Sequence, residues 1–206
     1  KEGVVSTKHV VHTTDGKVIG EWGVRKWFNS AIETTAKRTN VHIARQHLRL
    51  ALLEQLDIQN TVQWNHQLIH FEQFSDGKVN LSFQVNGEIK NNTVDLIIGA
   101  DGIRSSVRKV LFGEEINPLR YLNCIVILGI CPLEALDNVE NHLLDSATVF
   151  QTANGNERIY MMPYTFDSIM WQLSFPMSEE DAKNLSAQGP EALKNEACIR
   201  TKWHSP

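Results

Sequence analysis

"DLIIGADGIRSSVRKVLFG" spans residues 95–113, and its reading decides the fold. Leu96, Ile97 and Ile98 are consecutive apolar residues, and a strand apolar on both faces belongs in a covered, parallel sheet. Gly99 and Ala100 leave room for a ligand to approach the backbone, and Gly102 suits a turn with positive φ. "RSSVRKVLF" then reads as a helix whose first N–H groups point into the same space, a place for phosphate. Arg104 and Arg108 sit near the positive end of that helix, which costs ~0.3–1 kcal/mol each unless an anion lies close by. Asp101 repels phosphate, so its donors are a ribose hydroxyl, backbone N–H groups or Arg108. A capped surface helix whose arginines pair with Glu114 and Glu115 explains the same residues without a ligand.

Upstream of this stretch, two Asx-Gly turns, Asp76-Gly77 and Asn86-Gly87, divide "QLIHFEQF", "KVNLSFQV" and "EIKN" into an antiparallel meander, with "TVQW" as a further strand before it. From Val41 to Leu56 the apolar residues Val41, Leu48, Leu52, Leu53 and Leu56 fall on one face at helical spacing. Residues 1–25 form a hairpin around Asp15-Gly16, and 26–40 are a polar connection. Downstream, "LRYLNCIVILGICPL" is rich in strand formers. "ATVFQTA", "ERIYMMPY" and "SIMWQLSFP" read as three antiparallel strands, the first two joined at Asn154-Gly155. Ser178-Glu179-Glu180 and Pro190-Glu191 each open a helix.

The chain has 206 residues, 42% apolar and 21% charged, with a formal charge of -4. That is enough to bury a core without disulfides, and it offers no general attraction to nucleic acid. The three cysteines, Cys124, Cys131 and Cys198, have no paired spacing, which favours a reducing compartment and a cytoplasmic location. Cys124 and Cys131, in apolar strand text, read as inert core residues. No apolar run reaches the roughly 20 residues of a membrane span. His66 and His70 share a strand face but lie roughly 13 Å apart, His42 and His47 fall on different helix faces, and no carboxylate or cysteine completes a metal site.

Residues 96–108 match, at every position, a known pattern: three apolar residues, two small ones, Asp-Gly, an apolar, any, Ser, any, an apolar, Arg. The stretch resembles the second fingerprint of the flavoprotein aromatic hydroxylases, a family of FAD-dependent monooxygenases that includes para-hydroxybenzoate hydroxylase and the salicylate-type and tetracycline-inactivating enzymes. In that family the segment takes part in binding FAD and NAD(P)H, which implies Asp101, Gly102, Arg104, Ser105 and Arg108 as cofactor-binding residues here. "ARQHLRLALLEQL" resembles the family's Arg-x-x-Leu helix and implies that Arg45 lies beside the FAD. The strands "ERIYMMPY" and "SIMWQLSFP" look like the sheet that roofs the substrate pocket. On the second of these, Met170, Gln172 and Ser174 share one face, while Ile169, Trp171, Leu173 and Phe175 share the other and read as core. The first face, with Arg158, Tyr160 and Met162 on the neighbouring strand, supplies the substrate-binding candidates Gln172, Met170, Tyr160 and Arg158, Gln172 foremost. Plain solvent-exposed sheet is the competing reading.

The resemblance implies an α/β (α+β) fold: part of a glutathione-reductase-type FAD-binding domain with a β-meander, plus an antiparallel β-sheet substrate domain with helices. It assigns 1–35 to the substrate domain, 36–117 to the FAD domain and 118–206 to the substrate domain again. Gly16, Gly20 and Gly23 lack the Gly-x-Gly-x-x-Gly spacing with which the family opens, and no Gly-Asp motif follows. The expectation is an internal piece of a longer enzyme, whose missing N- and C-terminal parts are its partners along with a small-molecule substrate. The implied activity is NAD(P)H-driven hydroxylation of an aromatic or polyketide-like molecule by way of a flavin hydroperoxide. No catalytic side chain is nominated, because that chemistry belongs to the cofactor. A flavin-dependent reductase of isoprenoid type and a flavin-free binding fragment are the alternatives.

Overall fold

The computed structural model of the chain describes residues 3–23, 40–57, 61–113, 115, 118–136 and 144–203. The polar connection expected at 26–40, apart from Asn40, and Glu114 lie outside them. The chain divides into two compact units, one comprising residues up to Ala51 and from Leu122 onward, the other Leu52–Tyr121.

The first unit is built on a six-stranded sheet. Its strands are β2 (Lys8–His12), β3 (Val18–Gly23), β8 (Cys124–Pro132), β9 (Thr148–Ala153), β10 (Arg158–Thr165) and β11 (Ser168–Pro176). They lie in the order β3-β2-β9-β10-β11-β8. The hairpin expected around Asp15-Gly16 is β2–β3, and Gly16 takes φ 80° in its turn. All neighbours are antiparallel except β2 and β9, whose parallel pairing departs from a purely antiparallel substrate sheet. A short ribbon of β1 (Val4–Ser6) and β4 (Asn40–His42) accompanies the sheet, with Val5 opposite Val41.

That ribbon corrects the expected helix start. Val41 is β-branched and sits in a ladder, so helix α1 runs Arg45–Leu53, with Leu48 N–H donating to Ala44 C=O. Alternation on β11 gives the core directly: Leu173 and Phe175 are fully buried and Ile169 nearly so. Leu173 and Phe175 meet Ile127, Ile159 and Ala197 of helix α4 (Pro190–Arg200), with Trp171, Leu193 and Trp203 packed around them. Pro190 at the first helical position needs no N–H partner there. Helix α3 (Glu179–Ala187) is capped by Ser178, whose hydroxyl accepts from Asp181 N–H at 3.1 Å. Arg200 ties α4 to the sheet. It bonds Glu157 at 2.8 Å and Glu196 at 2.6 Å while its guanidinium lies 3.9 Å from the Phe175 ring centroid. Trp203 donates to the other Glu157 oxygen at 2.5 Å.

The second unit holds the meander β5 (Gln67–Gln73), β6 (Val79–Val85) and β7 (Glu88–Val94), with α2 (Ser106–Phe112) packed on β5. Both Asx-Gly turns are where the sequence puts them, with Gly77 at φ 86° and Gly87 at φ 91°. Val79, Leu81 and Val85 of the central strand form its buried face. "TVQW" is not a strand, because the chain turns at Trp64-Asn65 and the ladder begins at Gln67.

The expected central strand is also not formed. Residues 95–100 follow β7 without ladder pairing, and Leu96 and Ile98 are 72% and 79% exposed. A doubly apolar strand exists only between two others, and no described strand lies alongside to supply its hydrogen bonds. Cys124 is likewise exposed rather than core: it sits on β8, the edge strand, on the face away from Ile127. No described helix is long and apolar enough to cross a membrane.

Candidate functional site

The fingerprint folds as a loop that caps its own helix. Gly102 takes φ 79°, which turns the chain back toward α2, and a Cβ placed there would meet nothing within 4 Å. Asp101 Oδ2 accepts from Ser106 N–H at 2.6 Å and Val107 N–H at 3.2 Å, while Oδ1 accepts from Ser105 Oγ at 2.5 Å. Ser105 Oγ in turn accepts from Arg108 N–H at 3.0 Å. Chiefly the Ser105 hydroxyl holds the Asp101 carboxyl below the usual range; desolvation opposes it, and the backbone amides of Val107, Asp101 and Ser106 add to the lowering.

This corrects the expected phosphate site. The first-turn N–H groups already bond the chain's own carboxylate and hydroxyl, so the anion at this helix start is Asp101. Of its three expected donors, Asp101 uses the backbone N–H groups. Arg108 instead donates to Ile103 C=O. Gly99 lines the cavity beside this loop and has a second task there, since a Cβ would lie 2.8 Å from Val107 Cβ and Cγ1. Its bare backbone lets the loop close onto α2.

Beside this loop is a cavity of about 660 Å³. Asp101, Gly102, Ser105 and Arg108 line it, together with apolar walls from Phe71, Val79, Ile97, Val107 and Phe112. Arg104 is exposed and does not line it. Arg45, on the first turn of α1, is exposed and belongs to the other unit. Among the described residues no three His, Cys, Asp or Glu side chains gather as a metal site.

The substrate-binding candidates come together on the outer face of the six-stranded sheet. Tyr160 stands opposite Gln172, Met162 opposite Met170, and Arg158 opposite Ser174. Gln172 and Met170 are half-buried, and the Arg158 guanidinium lies 5.6 Å from the Tyr160 ring centroid. Burial raises the Tyr160 pKa while the neighbouring Arg158 pulls it down. The core set Ile169, Trp171, Leu173 and Phe175 points the other way, as alternation predicts. Sequence reasoning missed Leu128 and Gln151, which join this face through the pairs Gln172–Leu128 and Tyr160–Gln151. Alternation along "CIVILGICP" and "ATVFQTA" carries that signal, but register alone selects the parity.

A second cluster was not foreseen at all. His42 Nε2 lies 2.8 Å from Oγ of the fully buried Ser6, and His9 stacks on Trp22 with ring centroids 5.4 Å apart. Desolvation lowers both histidine pKa values, and His9 lowers that of His42 further. A lowered pKa means that folding favours the neutral ring, so this contribution is complete above the ordinary value of 6.5 and fades as pH falls below it. Thermal unfolding across that range should show Tm falling with acidity, with a shallower slope in His42→Gln. An unchanged slope in that variant would remove His42 from the account.

No family model matches the chain. Monooxygenase cfoF of Aspergillus candidus is 25% identical over 188 residues, covering 88% of this chain and 44% of that protein. FAD-dependent monooxygenase tazP of Aspergillus terreus is 32% identical over 108 residues, covering 50% of this chain and 26% of that protein. The chain is related to FAD-dependent monooxygenases. It spans less than half the length of these monooxygenase relatives. The fold agrees: HpxO of Klebsiella pneumoniae, solved with FAD and uric acid, matches 95% of the chain and 49% of its own length at 18% identity, with TM-score 0.66.

Proposed function

We propose that this chain is a section of an FAD-dependent, NAD(P)H-driven monooxygenase that hydroxylates an aromatic or polyketide-like small molecule. The observation that carries the reading is the complete fingerprint, folded around a lined cavity, in a chain whose relatives are monooxygenases. The donor set defines which part of a dinucleotide this loop suits. Apolar walls with Gly102 and Arg108 also in the lining fit a flat ring and its ribose. The α2 N-terminus does not fit a pyrophosphate, because Asp101 already occupies it.

When bound, FAD would supply the electron transfer and oxygen chemistry. The chain's own residues would hold and orient. Asp101 and Ser105 fix the loop, Arg108 braces it through Ile103, and Arg104 remains available to a neighbouring negative charge. The outer sheet face with Gln172, Met170, Tyr160 and Arg158 would meet the substrate, and Arg45 would approach the flavin from α1.

The test uses the full-length enzyme that carries this section. It is expected to purify with visible flavin absorbance. Asp101→Ala and Arg108→Ala should each weaken FAD or NAD(P)H affinity roughly tenfold, by loosening the loop. Absence of flavin, or affinities equal to wild type in both variants, would overturn the cofactor assignment. NAD(P)H oxidation that persists with substrate under strict anaerobiosis would overturn the monooxygenase.

A further inference from the structure

The six-stranded sheet ends on two unlike edges. At one end β3 is protected. It has six residues, its register with β2 shifts between Val11 and His12, and it carries Glu21, paired with Lys8 at 3.4 Å. At the other end β8 has nine residues, and Cys124–Pro132 pairs with β11 rung for rung with no shift in register. It carries no charged residue, and its single proline is the last position. Charge, proline, bulges and shortness are how proteins blunt an edge against another strand. β8 has none of them within Cys124–Cys131, and no described strand pairs with its free side.

Both ends of β8 leave that free side clear. Asn123 C=O accepts from Met177 N–H at 3.1 Å, and Leu133 N–H donates to Asp167 C=O at 2.8 Å. Met177 and Asp167 flank β11, so the chain is drawn toward β11 at each end of β8. Asn123 takes φ 54° as it turns in. A stretch of backbone about 30 Å long therefore faces outward without a ladder partner among the described residues. Beside it Val126, Leu128 and Ile130 are 51%, 61% and 55% exposed, apolar surface for a pairing strand to cover.

The strand is also complementary to itself. Antiparallel pairing of two copies about a two-fold axis normal to the sheet sets like faces side by side. Because the strand has an odd number of residues, the register of fullest overlap centres on its middle residue, Leu128. Leu128 then meets its own copy, Val126 meets Ile130 and Ile125 meets Cys131. Ile127 meets Gly129, a large side chain beside none. No charge opposes a like charge in any of these pairs, and an uncharged edge has nothing to select a charged peptide. We propose that β8 is a homodimerisation edge, joining the sheets of two copies of this chain through an antiparallel β8–β8 pairing centred on Leu128. The dimer does not depend on the flavin reading. A single edge pairing lies at the small end of specific interfaces, so the association is concentration-dependent.

Sedimentation velocity of the full-length protein should show a monomer–dimer equilibrium between about 1 and 100 μM. Leu128→Lys sets two ammonium groups against each other at the axis and should weaken association at least about tenfold. Leu128 is exposed, so that variant should keep the wild-type circular dichroism and Tm. Register is read by oxidative cross-linking, because opposed Cβ atoms lie about 4.5–5.5 Å apart. Leu128→Cys should give a disulfide-linked dimer on a non-reducing gel. Val126→Cys, which faces Ile130, should stay at the background of the native cysteines, and Val126→Cys combined with Ile130→Cys should rise above it. A protein still monomeric at about 100 μM, or Leu128→Lys dimerising as tightly as wild type, would overturn the proposal. Equal cross-linking of Leu128→Cys and Val126→Cys would overturn the register. Hydrogen-exchange protection of the outward β8 amides in a monomeric sample would place another segment of the full-length chain on this edge, and the proposal would fail.

Discussion

Phe175→Ala is expected to destabilise the protein by about 3–5 kcal/mol, the cost of a large cavity at a site that cannot collapse. Phe175 is 0% exposed and sits among Ile127, Ile159, Leu173 and Ala197. Its ring also carries the Arg200 guanidinium at 3.9 Å, a contact between α4 and the sheet. Removing the ring leaves Arg200 bonded to Glu157 and Glu196 but facing a void. Thermal denaturation followed by circular dichroism should show Tm lower by roughly 6–20 °C for a chain of this length. A shift below about 2 °C would mean that α4 does not depend on this ring.

Gly129→Ala carries the second large effect, and its sign is diagnostic. On β8, an edge strand, replacing Gly with Ala would ordinarily help, because glycine weakens strand interiors. Here Gly129 stands directly opposite Trp171, and a Cβ would overlap Cε2 and Cζ2 of the indole. The ring, packed against the core, has to be displaced, so the expected cost is about 1–3 kcal/mol. Chemical denaturation of Gly129→Ala alone and combined with Trp171→Leu separates the two contributions. The smaller side chain should recover most of the loss, and simple additivity would exclude the contact as its cause.

Legibility in the sequence followed the range of the interactions. The meander was readable because Asp76-Gly77 and Asn86-Gly87 are local turn chemistry with positive φ at glycine. The core face of β11 was readable because alternation has a fixed period. The α1 start was misread because Val41 has the right spacing for a helix but a strand partner in β1, which spacing cannot reveal. Leu96–Ile98 have the composition of a covered strand, yet composition supplies no neighbour to pair with. Asp101 was recognised as central, but only the folded loop showed its two oxygens turned onto Ser105, Ser106 and Val107.

The sequence by itself determined the turns, the alternation of β9, β10 and β11 and the fingerprint from Leu96 to Arg108, since each depends on residues a few positions apart. Tertiary structure decided which side chains meet: Tyr160 with Gln172 and Gln151, His42 with Ser6, Arg200 with Phe175. It also decided that the first-turn N–H groups of α2 bond a carboxylate of the chain itself. These outcomes turn on strand register and loop closure, which join residues distant in sequence and leave no periodic trace along it.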